Sequence, residues 1–304
     1  MKVVALAGGT GSAKLLRGLS KVTSDLIVIG NVGDNVWMHG LYICPDLDIA
    51  MYTLAGLQDS KKGWGIKDDT FRTLGQLGRL KEETWFSLGD LDLATHIART
   101  AHIRNGETLT RVTDRLRRAF GVHAGLLPAT DYPLETHIVT PTGELHLQEF
   151  WVKKHGEPSV RAVNYAGSSE AQPTKEVESA VEAADRIVIC PANPVTSIGP
   201  ILAIRGFRKK LSEVGARVTA LSPMVGSRPF AGPAAKLMKA MGMETNSVGV
   251  ARAYSGFLDS IVMDSSDKEM ARRIEGMKID CRLSDTRMAS LPDERRLARE
   301  LLEA

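Results

Sequence analysis

Cysteine is scarce in this sequence, long apolar runs are missing, and neither sign of charge dominates. The three cysteines, Cys44, Cys190 and Cys281, are odd in number and too far apart for a disulfide framework or a zinc-binding spacing. No apolar stretch approaches the ~20 residues that a membrane-spanning helix needs. The chain opens on a strand-like run rather than on a basic segment with a cleavage site. We therefore expect a cytoplasmic protein that has no membrane partner.

Basic residues are not concentrated on one segment of the chain. The 39 Lys and Arg residues nearly balance the 36 Asp and Glu residues, which leaves a formal net charge of +3. The densest basic run, 205–210, falls in a predicted helix and is typical of a solvated face. Proteins that bind nucleic acids instead present a basic stripe or patch. We expect small-molecule substrates and no nucleic-acid partner.

Short apolar runs alternate with helical segments at both ends of the chain. The run 2–7 suits a strand buried on both faces of a parallel sheet, and a helix over 12–20 and a strand over 26–29 follow it. Further strands are predicted over 186–190, 217–221 and 259–263, and further helices over 175–184, 198–214 and 232–241. This alternation predicts an α/β fold with a Rossmann-like, doubly wound, mainly parallel sheet and right-handed crossovers.

The middle of the chain has a different pattern. Helical periodicity with charged faces and no convincing strand extends over 48–127, which predicts a helical insertion. Two apolar runs, 136–140 and 145–152, flank a turn and predict a β-hairpin. We therefore divide the chain into a nucleotide-binding core, 1–47 and 128–304, and an insertion that contributes to the ligand site.

The first predicted strand runs into a glycine-rich turn, Gly8-Gly9-Thr10-Gly11-Ser12-Ala13-Lys14. Glycines allow the backbone to approach an anion closely, and the N-terminus of the following helix directs free N–H groups at it. We expect this turn to bind phosphate through Gly9, Thr10, Gly11, Ser12 and Lys14. Ser12 is also the predicted N-cap of the helix. The alternative is a tight turn that holds no ligand.

The same turn lacks two familiar nucleotide-binding signatures. A dinucleotide fingerprint needs a third glycine where Lys14 stands, and an acidic residue at the end of the second strand, where Asn31 stands. No Gly-Lys-Ser/Thr follows, so the turn is not a Walker A loop either. Both absences argue against an NAD dehydrogenase and against an ordinary P-loop ATPase.

Aspartates recur after the second predicted strand. They are Asp34, which follows Asn31 at the strand end, then Asp46 and Asp48, and later Asp90 and Asp92. Carboxylates that converge near a phosphate site suit Mg²⁺, which takes one or two of them together with substrate oxygens. We favour a functional role for Asp34, Asp46 and Asp48. Turn and helix-cap chemistry is the alternative, and it explains Asp92 at least as well.

Two more polar loops follow later strands. They cover 191–200 and 222–233, and two such loops after successive strands predict a cleft rather than simple connections. The expected ligand contacts are Asn31 at the second strand end, Asn193, Thr196, Ser197 and Gly199 in the first loop, and Ser227 in the second. The alternative is a pair of capping loops without a ligand. His96 suits a polar pocket position or a structural one equally well.

At these loops the chain resembles the 2-phospho-L-lactate transferase family of deazaflavin coenzyme F-420 biosynthesis. The resemblance covers nearly the whole chain and rests on seven short blocks that occur in the family's order. The blocks are Gly8-Gly-Thr-Gly11 with Lys14-Leu-Leu16, Asn31-x-Gly-Asp34, Cys44-Pro-Asp46-Leu-Asp48, Gly63-Trp-Gly-Ile66-x-x-Asp69-Thr-Phe71, Leu88-Gly-Asp90-x-Asp92-x-Ala-Thr-His96, Asn193-Pro-x-Thr-Ser-Ile-Gly-Pro200 and Gly232-Pro-Ala. Each block alone is weak, and the ordered set is specific.

The resemblance implies a Mg²⁺-dependent transferase that is usually a homodimer. Such an enzyme moves a phospholactyl or phosphoenolpyruvyl group from a guanosine diphosphate-linked donor to the ribityl hydroxyl of the deazaflavin Fo and releases GMP. It further implies that Asp46 and Asp48 act in catalysis and bind the metal, and that Asp90 lies near the deazaflavin. Trp64 is then expected to stack on the deazaflavin ring, although a core position suits it equally well.

A non-catalytic regulator is the alternative function. Proteins of the gluconeogenesis-factor type bind nucleotide sugars and share a glycine-rich start with the transferases. They do not need the blocks at 64–71 and 88–96, and the presence of both blocks favours the transferase.

Overall fold

A seven-stranded parallel sheet forms the centre of the molecule. In the computed structural model, which describes residues 1–226, 228–229 and 233–304, its strands are β1 (Lys2–Ala7), β2 (Asp25–Gly30), β5 (Gly125–Pro128), β9 (Arg186–Ile189), β10 (Arg217–Leu221), β13 (Ser260–Asp264) and β14 (Asp280–Ser284). Their order is β14-β13-β10-β9-β1-β2-β5, and every neighbouring pair is parallel. The sheet therefore grows outward from β1 in both directions, which confirms the predicted Rossmann-like fold.

The remaining strands form three small antiparallel groups. A hairpin consists of β3 (Val36–Met38) and β4 (Leu41–Ile43), and a three-stranded sheet consists of β6 (Glu135–Thr140), β7 (Gly143–His146) and β8 (Ala162–Ala166) in the order β7-β6-β8. The last pair is β11 (Met224–Val225) and β12 (Arg228–Pro229). The predicted hairpin is thus confirmed as β6 and β7, and β8 adds a third strand to it.

Helices flank the central sheet. They are α1 (Gly9–Val22), α2 (Pro45–Leu54), α3 (Arg72–Arg79), α4 (Asp90–Arg104), α5 (Leu109–Ala119), α6 (Lys175–Glu182), α7 (Gly199–Ala203), α8 (Phe207–Glu213), α9 (Ala234–Ala240), α10 (Ser247–Ala253), α11 (Ala271–Glu275) and α12 (Leu291–Glu303). A π-helical turn covers Glu149–Lys153 and a 3-10 segment covers Ser265–Met270. None of the helices in the described part of the chain combines the length and hydrophobicity that crossing a bilayer requires.

The apolar strands form the core because both faces of the sheet are covered. Residues 3–7 of β1 are at most 2% exposed, which agrees with their continuous apolar run. The helix α1 covers this region and packs against α2 and α12. Burial of β1 and β2 from both sides leaves only their carboxyl ends open to a ligand.

Two element boundaries differ from the prediction. The second hairpin strand is only four residues long and ends at His146. The π-helical turn then takes up most of the rest of the predicted run 145–152. The predicted helix 198–214 is split into α7 and α8, because Gly206 has a φ of +79°, a left-handed conformation that interrupts a helix.

The predicted boundary between insertion and core is also displaced. Residues 125–127 belong to β5, which pairs with β2 at the edge of the central sheet, and α5 packs on that strand. The predicted insertion, 48–127, therefore includes most of a strand of the central sheet. A four-residue strand with the sequence Gly-Leu-Leu-Pro is too short for its periodicity to be recognised. The division into core and insertion itself stays a prediction.

Candidate active site

A cleft opens at the carboxyl ends of β1, β2 and β9. Its volume is about 340 Å³, and it is lined by residues 8–11 after β1 and by residues of 191–197 after β9. The strand order reverses between these two strands, so their following loops leave in opposite directions and a crevice forms between them. This position is where open α/β sheets bind ligands.

The glycine turn packs closely against its neighbours because its glycines have no side chains. A Cβ atom on Gly11 would lie 2.4 Å from the carbonyl oxygen of Pro191, and one on Gly8 would lie 2.8 Å from Oδ2 of Asp46. The helix α1 begins at Gly9, three residues earlier than predicted, and no side chain caps it. The N-terminus of α1 therefore opens on the cleft, which Gly9, Thr10 and Gly11 line, and the N–H of Gly9 donates to the carboxylate of Asp46.

Ser12 and Lys14 point elsewhere. Ser12 is buried, and its hydroxyl accepts from the N–H of Gly8 and donates to the carbonyl of Gly8. It stabilises the turn and is not the N-cap of α1. The ammonium group of Lys14 donates to the carbonyl oxygen of Met288, 2.7 Å away. The structure therefore brings neither side chain to the cleft.

Asn31 connects the loops around the cleft. It is completely buried, and its side-chain nitrogen lies 2.9 Å from Oδ1 of Asp34, 2.9 Å from Oδ2 of Asp46 and 3.2 Å from the carbonyl oxygen of Thr196. Its side-chain oxygen accepts from the N–H of Gly33. Asn31 thus lies behind the cleft and orients two carboxylates that line it.

Asp34 and Asp46 form a buried acidic pair. Burial raises the pKa of Asp46 to about 6, and burial together with the charge of Asp46 raises the pKa of Asp34 well above its usual range. Among the residues that the structure describes, neither carboxylate forms an ion pair with a basic side chain. The amide of Asn31 is shared by both carboxylates and the N–H of Gly9 donates to Asp46, so a further positive charge beside the pair would favour its full ionisation.

Asp48 belongs to a second polar group. Both of its carboxylate oxygens accept from the guanidinium of Arg99, which also lies 3.1 Å from Nδ1 of His96. His96 in turn lies 3.4 Å from Asp92, measured between Nε2 and Oδ1. Burial lowers the pKa of Arg99, but the charge of Asp48 outweighs it and the pKa is raised. Burial also raises the pKa of Asp48, and the contact through both of its oxygens is the geometry of an ion pair. The helix α4 supplies three of the four members on its buried face.

Asp48, Asp92 and His96 are also the three described residues whose ligand atoms converge. One ligand atom from each lies within 4.8 Å of the others, so the group is a possible metal-binding set. Arg99, however, already balances the charge of Asp48 and bonds His96 from behind. The predicted pair of Asp46 and Asp48 is therefore divided between two hydrogen-bonded groups, and their roles as metal ligands stay predictions.

Asp90, and Asp69 in the loop before it, each cap the N-terminus of a helix. The Asp90 carboxylate accepts from the hydroxyl of Thr70 and from the N–H groups of Arg72 and Thr73, which begin α3. These bonds hold the pKa of Asp90 below its usual range. Asp69 accepts from the N–H groups of the first turn of α4 in the same way. The structure therefore gives Asp90 a capping contact and does not bring it to the cleft.

Three of the four predicted residues in the loop after β9 line the cleft. Asn193, Thr196 and Ser197 line the cleft, and Asn193 stabilises the loop by accepting from the N–H of Val195. Gly199 lies away from the cleft, where a Cβ atom would be 2.2 Å from the hydroxyl oxygen of Tyr165. Ser227, the predicted contact of the next loop, lies outside the described residues.

Aromatic side chains form the other wall. Trp64 lines the cleft, with its ring 6.5 Å from that of Phe71 in an edge-to-face arrangement, and its stacking on the deazaflavin stays a prediction. Phe86 and Trp151 also line it, and sequence reasoning missed both. Trp151 is 42% exposed and sits on the π-helical turn, which no periodicity predicts. His96 lines the cleft and is 1% exposed.

Arg99, Tyr52 and Gln148 were missed as well. Arg99 had a detectable signal, because Asp92, His96 and Arg99 recur at helical spacing on one face of a predicted helix. The hydroxyl of Tyr52 donates to Oδ1 of Asp92 over 2.7 Å, and Nε2 of Gln148 donates to the backbone oxygen of Asp34 over 3.3 Å. Both depend on contacts between distant segments, for which the sequence contains no local sign.

The fold and the cleft together define a Rossmann-like α/β protein with a glycine-rich turn and acidic side chains at the reversal of strand order. The family model for 2-phospho-L-lactate transferase CofD matches residues 3–293. This chain therefore belongs to the 2-phospho-L-lactate transferase CofD family, which is a family of transferases. The predicted family is thus confirmed.

Individual relatives agree with this membership. The chain is 43% identical to a 2-phospho-L-lactate transferase of Methanosarcina acetivorans over 97% of this chain and 96% of that protein. It is 41% identical to a phosphoenolpyruvate transferase of Streptomyces griseus over 100% of this chain and 98% of that protein. A solved structure of a UPF0052 family member from Bacillus halodurans has a TM-score of 0.66 at 16% identity, and the alignment covers 99% and 98% of the two chains. That likeness concerns the fold alone.

Proposed function

We propose that this protein transfers a phospholactyl or phosphoenolpyruvyl group from a guanosine diphosphate-linked donor to the ribityl hydroxyl of the deazaflavin Fo. The reaction releases GMP and belongs to coenzyme F-420 biosynthesis. The observation that carries the proposal is the buried Asp34–Asp46 pair beside the N-terminus of α1 in a family of transferases. Family membership also favours a transferase over the regulator. The homodimer and the cytoplasmic location remain predictions.

The donor diphosphate is assigned to the space between the two loops after β1 and β9. The first turn of α1 contains no acidic side chain, and its N-cap residue, Gly8, provides no side-chain cap. The loop 193–197 adds the side chains of Asn193, Thr196 and Ser197 on the opposite side. Backbone N–H groups and hydroxyl groups are the usual partners of phosphate oxygens at such a position. These contacts support the assignment of the diphosphate.

Mg²⁺ suits Asp34 and Asp46 better than Asp48. Asp34 and Asp46 offer oxygen ligands only, they lie at the phosphate end of the sheet, and no described basic side chain balances their charge. Bound there, the ion would neutralise charge on the diphosphate and on the departing phosphate. Asn31 orients both carboxylates toward that position, and a cleft carboxylate would accept the proton of the attacking hydroxyl.

The bond changes follow from the proposed substrates. The ribityl oxygen attacks the phosphorus that carries the three-carbon acid, and a new P–O bond forms. The P–O bond between that phosphorus and the GMP phosphate breaks, so that GMP leaves with the electron pair. Trp64, Phe86 and Trp151 offer apolar surfaces against which a flat deazaflavin ring can lie. Catalysis of such a transfer depends mainly on positioning and on charge neutralisation.

Ligand binding tests the nature of the site without turnover. GDP with Mg²⁺ is expected to raise the melting temperature, whereas NAD is not, because the dinucleotide fingerprint is missing. A ligand that binds only the folded state at a hundredfold excess over its dissociation constant stabilises by ~2.7 kcal/mol. Differential scanning fluorimetry measures the shift. Stabilisation by UDP-sugars in place of GDP would support the regulator instead.

Turnover tests the proposed reaction itself. Purified protein incubated with Mg²⁺, Fo and lactyl-diphosphoguanosine is expected to form GMP and a phosphodiester-linked deazaflavin in equal amounts, and a chelator should stop both. The enolpyruvyl donor belongs in a parallel reaction, because relatives of both names are similar to this chain. Mass spectrometry identifies the deazaflavin product. If neither donor gives a heavier deazaflavin while Fo and GDP still bind, the transferase assignment is wrong.

A further inference from the structure

The buried face of α4 carries an arginine behind the cleft. Arg99 is 1% exposed, and Asp48 and His96, which it contacts, both line the cleft. The guanidinium bonds both oxygens of Asp48 and also approaches the backbone oxygen of Tyr42 at 3.4 Å. Asp48 already balances the charge of Arg99. The contact between Arg99 and His96 therefore acts on the imidazole instead.

The contact with Arg99 decides which histidine nitrogen carries the proton. Nη1 of Arg99 lies 3.1 Å from Nδ1 of His96, whereas Oδ2 of Asp48 lies 3.7 Å from the same nitrogen. A guanidinium N–H can only donate, so Nδ1 of His96 accepts the hydrogen bond. The proton of the ring then resides on Nε2, because a neutral imidazole has one donor and one acceptor nitrogen.

The protonated nitrogen has only a long contact, with Asp92, in the described part of the chain. Nε2 of His96 is buried and forms no hydrogen bond there. Its nearest carboxylate is Asp92, with Oδ1 3.4 Å away, and that oxygen already lies 2.7 Å from the hydroxyl of Tyr52. A buried N–H without an acceptor is costly, and the side chain that carries this N–H lines the cleft.

We infer that Arg99 is a positioning residue that holds His96 as an N–H donor, through Nε2, to a phosphoryl or carbonyl oxygen of the bound substrate. The inference rests on the proposed function for the identity of that substrate. His96 is then not the base that accepts the hydroxyl proton, since its unprotonated nitrogen faces Arg99. Proton acceptance is left to the carboxylates of the cleft.

The tautomer can be measured in the wild-type protein. Long-range ¹H–¹⁵N correlation spectra of protein labelled in its histidines distinguish Nδ1–H from Nε2–H rings, and the spectrum of His96→Gln assigns the His96 signals by difference. We expect the Nε2–H pattern, and we expect it to persist when Mg²⁺ alone is added. A pattern in which Nδ1 carries a proton, or in which Mg²⁺ coordinates Nε2, would overturn the inference.

Two substitutions at His96 separate a donor from a base. The side-chain amide of glutamine reaches the position of Nε2, whereas that of asparagine reaches only the position of Nδ1. His96→Gln is expected to keep turnover within about tenfold of wild type, and His96→Asn to lose ~100-fold, the usual effect of removing one oriented donor. Equal losses in both variants would contradict donation through Nε2.

The role of Arg99 is tested with Arg99→Lys. An ammonium group keeps the charge but lacks the planar fork that bonds Asp48 and His96 together. In folded Arg99→Lys protein, we expect mixed His96 tautomers and a turnover at least ~10-fold lower. An unchanged tautomer would reduce Arg99 to a structural partner of Asp48. Because the spectra do not require turnover, they test the tautomer that Arg99 imposes on His96 even if the proposed transfer fails.

Discussion

Replacing Asp46 by asparagine is expected to lower turnover at least ~100-fold while the protein stays folded, as loss of a central electrostatic group typically does. Asn31 can still contact the side-chain oxygen of asparagine, and removal of one charge relieves the repulsion from Asp34. The stabilisation that Mg²⁺ alone confers on wild-type protein should be lost with the same substitution. Steady-state GMP release and melting curves with and without Mg²⁺ measure the two effects.

Asp68→Asn is the matched control for this experiment. It makes the same chemical change, its side chain is largely exposed, and its φ of +59° is a conformation that asparagine tolerates. Its turnover and its Mg²⁺ response should equal those of wild type. Near-normal turnover in Asp46→Asn would show that Asp46 only shapes the turn at the start of α2, and the proposed metal position would have to be abandoned.

Replacing Asp48 by asparagine is expected to act mainly on stability. Asp48 is the only carboxylate, among the described residues, that forms an ion pair with Arg99, and both side chains are buried. Removing one member of such a pair leaves an uncompensated buried charge and costs ~3–5 kcal/mol. For a chain of this size, that cost lowers the melting temperature by roughly 5–15 °C. Thermal unfolding followed by circular dichroism measures it.

A double variant distinguishes charge from packing in this result. Asp48→Asn combined with Arg99→Met removes both charges, and we expect it to recover at least half of the stability that Asp48→Asn loses. If the single variant melts like wild type, the ion pair does not contribute as its burial implies. If the double variant is less stable than the single one, the packing of the Arg99 stem outweighs its charge.

The contrast between Asp46 and Asp48 explains why the sequence alone did not separate them. Both occur in one short block, Cys44-Pro-Asp46-Leu-Asp48, and both lie in the first turn of α2. Residues two apart on a helix point in different directions, so one side chain meets Asn31 and the other meets Arg99. Arg99 is 51 residues further along the chain, and no local pattern specifies that contact.

The amino-acid sequence by itself determined the elements that depend on local chemistry. Short, mainly apolar runs predicted β1, β2, β9, β10 and β13, because strands covered on both faces are mostly apolar. The glycine turn after β1 was recognisable, since close approach of backbone segments excludes a Cβ atom. The ordered blocks identified the family.

Tertiary structure decided which polar side chains meet. Asp90 and Asp69 satisfy the free N–H groups of α3 and α4, whereas Asp34 and Asp46 share one amide beside the cleft. All four occur in short polar segments beside predicted strands or helices, and only the folded chain shows which groups each carboxylate meets. Hydrogen bonds act over about 3 Å. The role of a carboxylate therefore depends on neighbours that chain folding brings within that distance, often from segments far apart in the sequence.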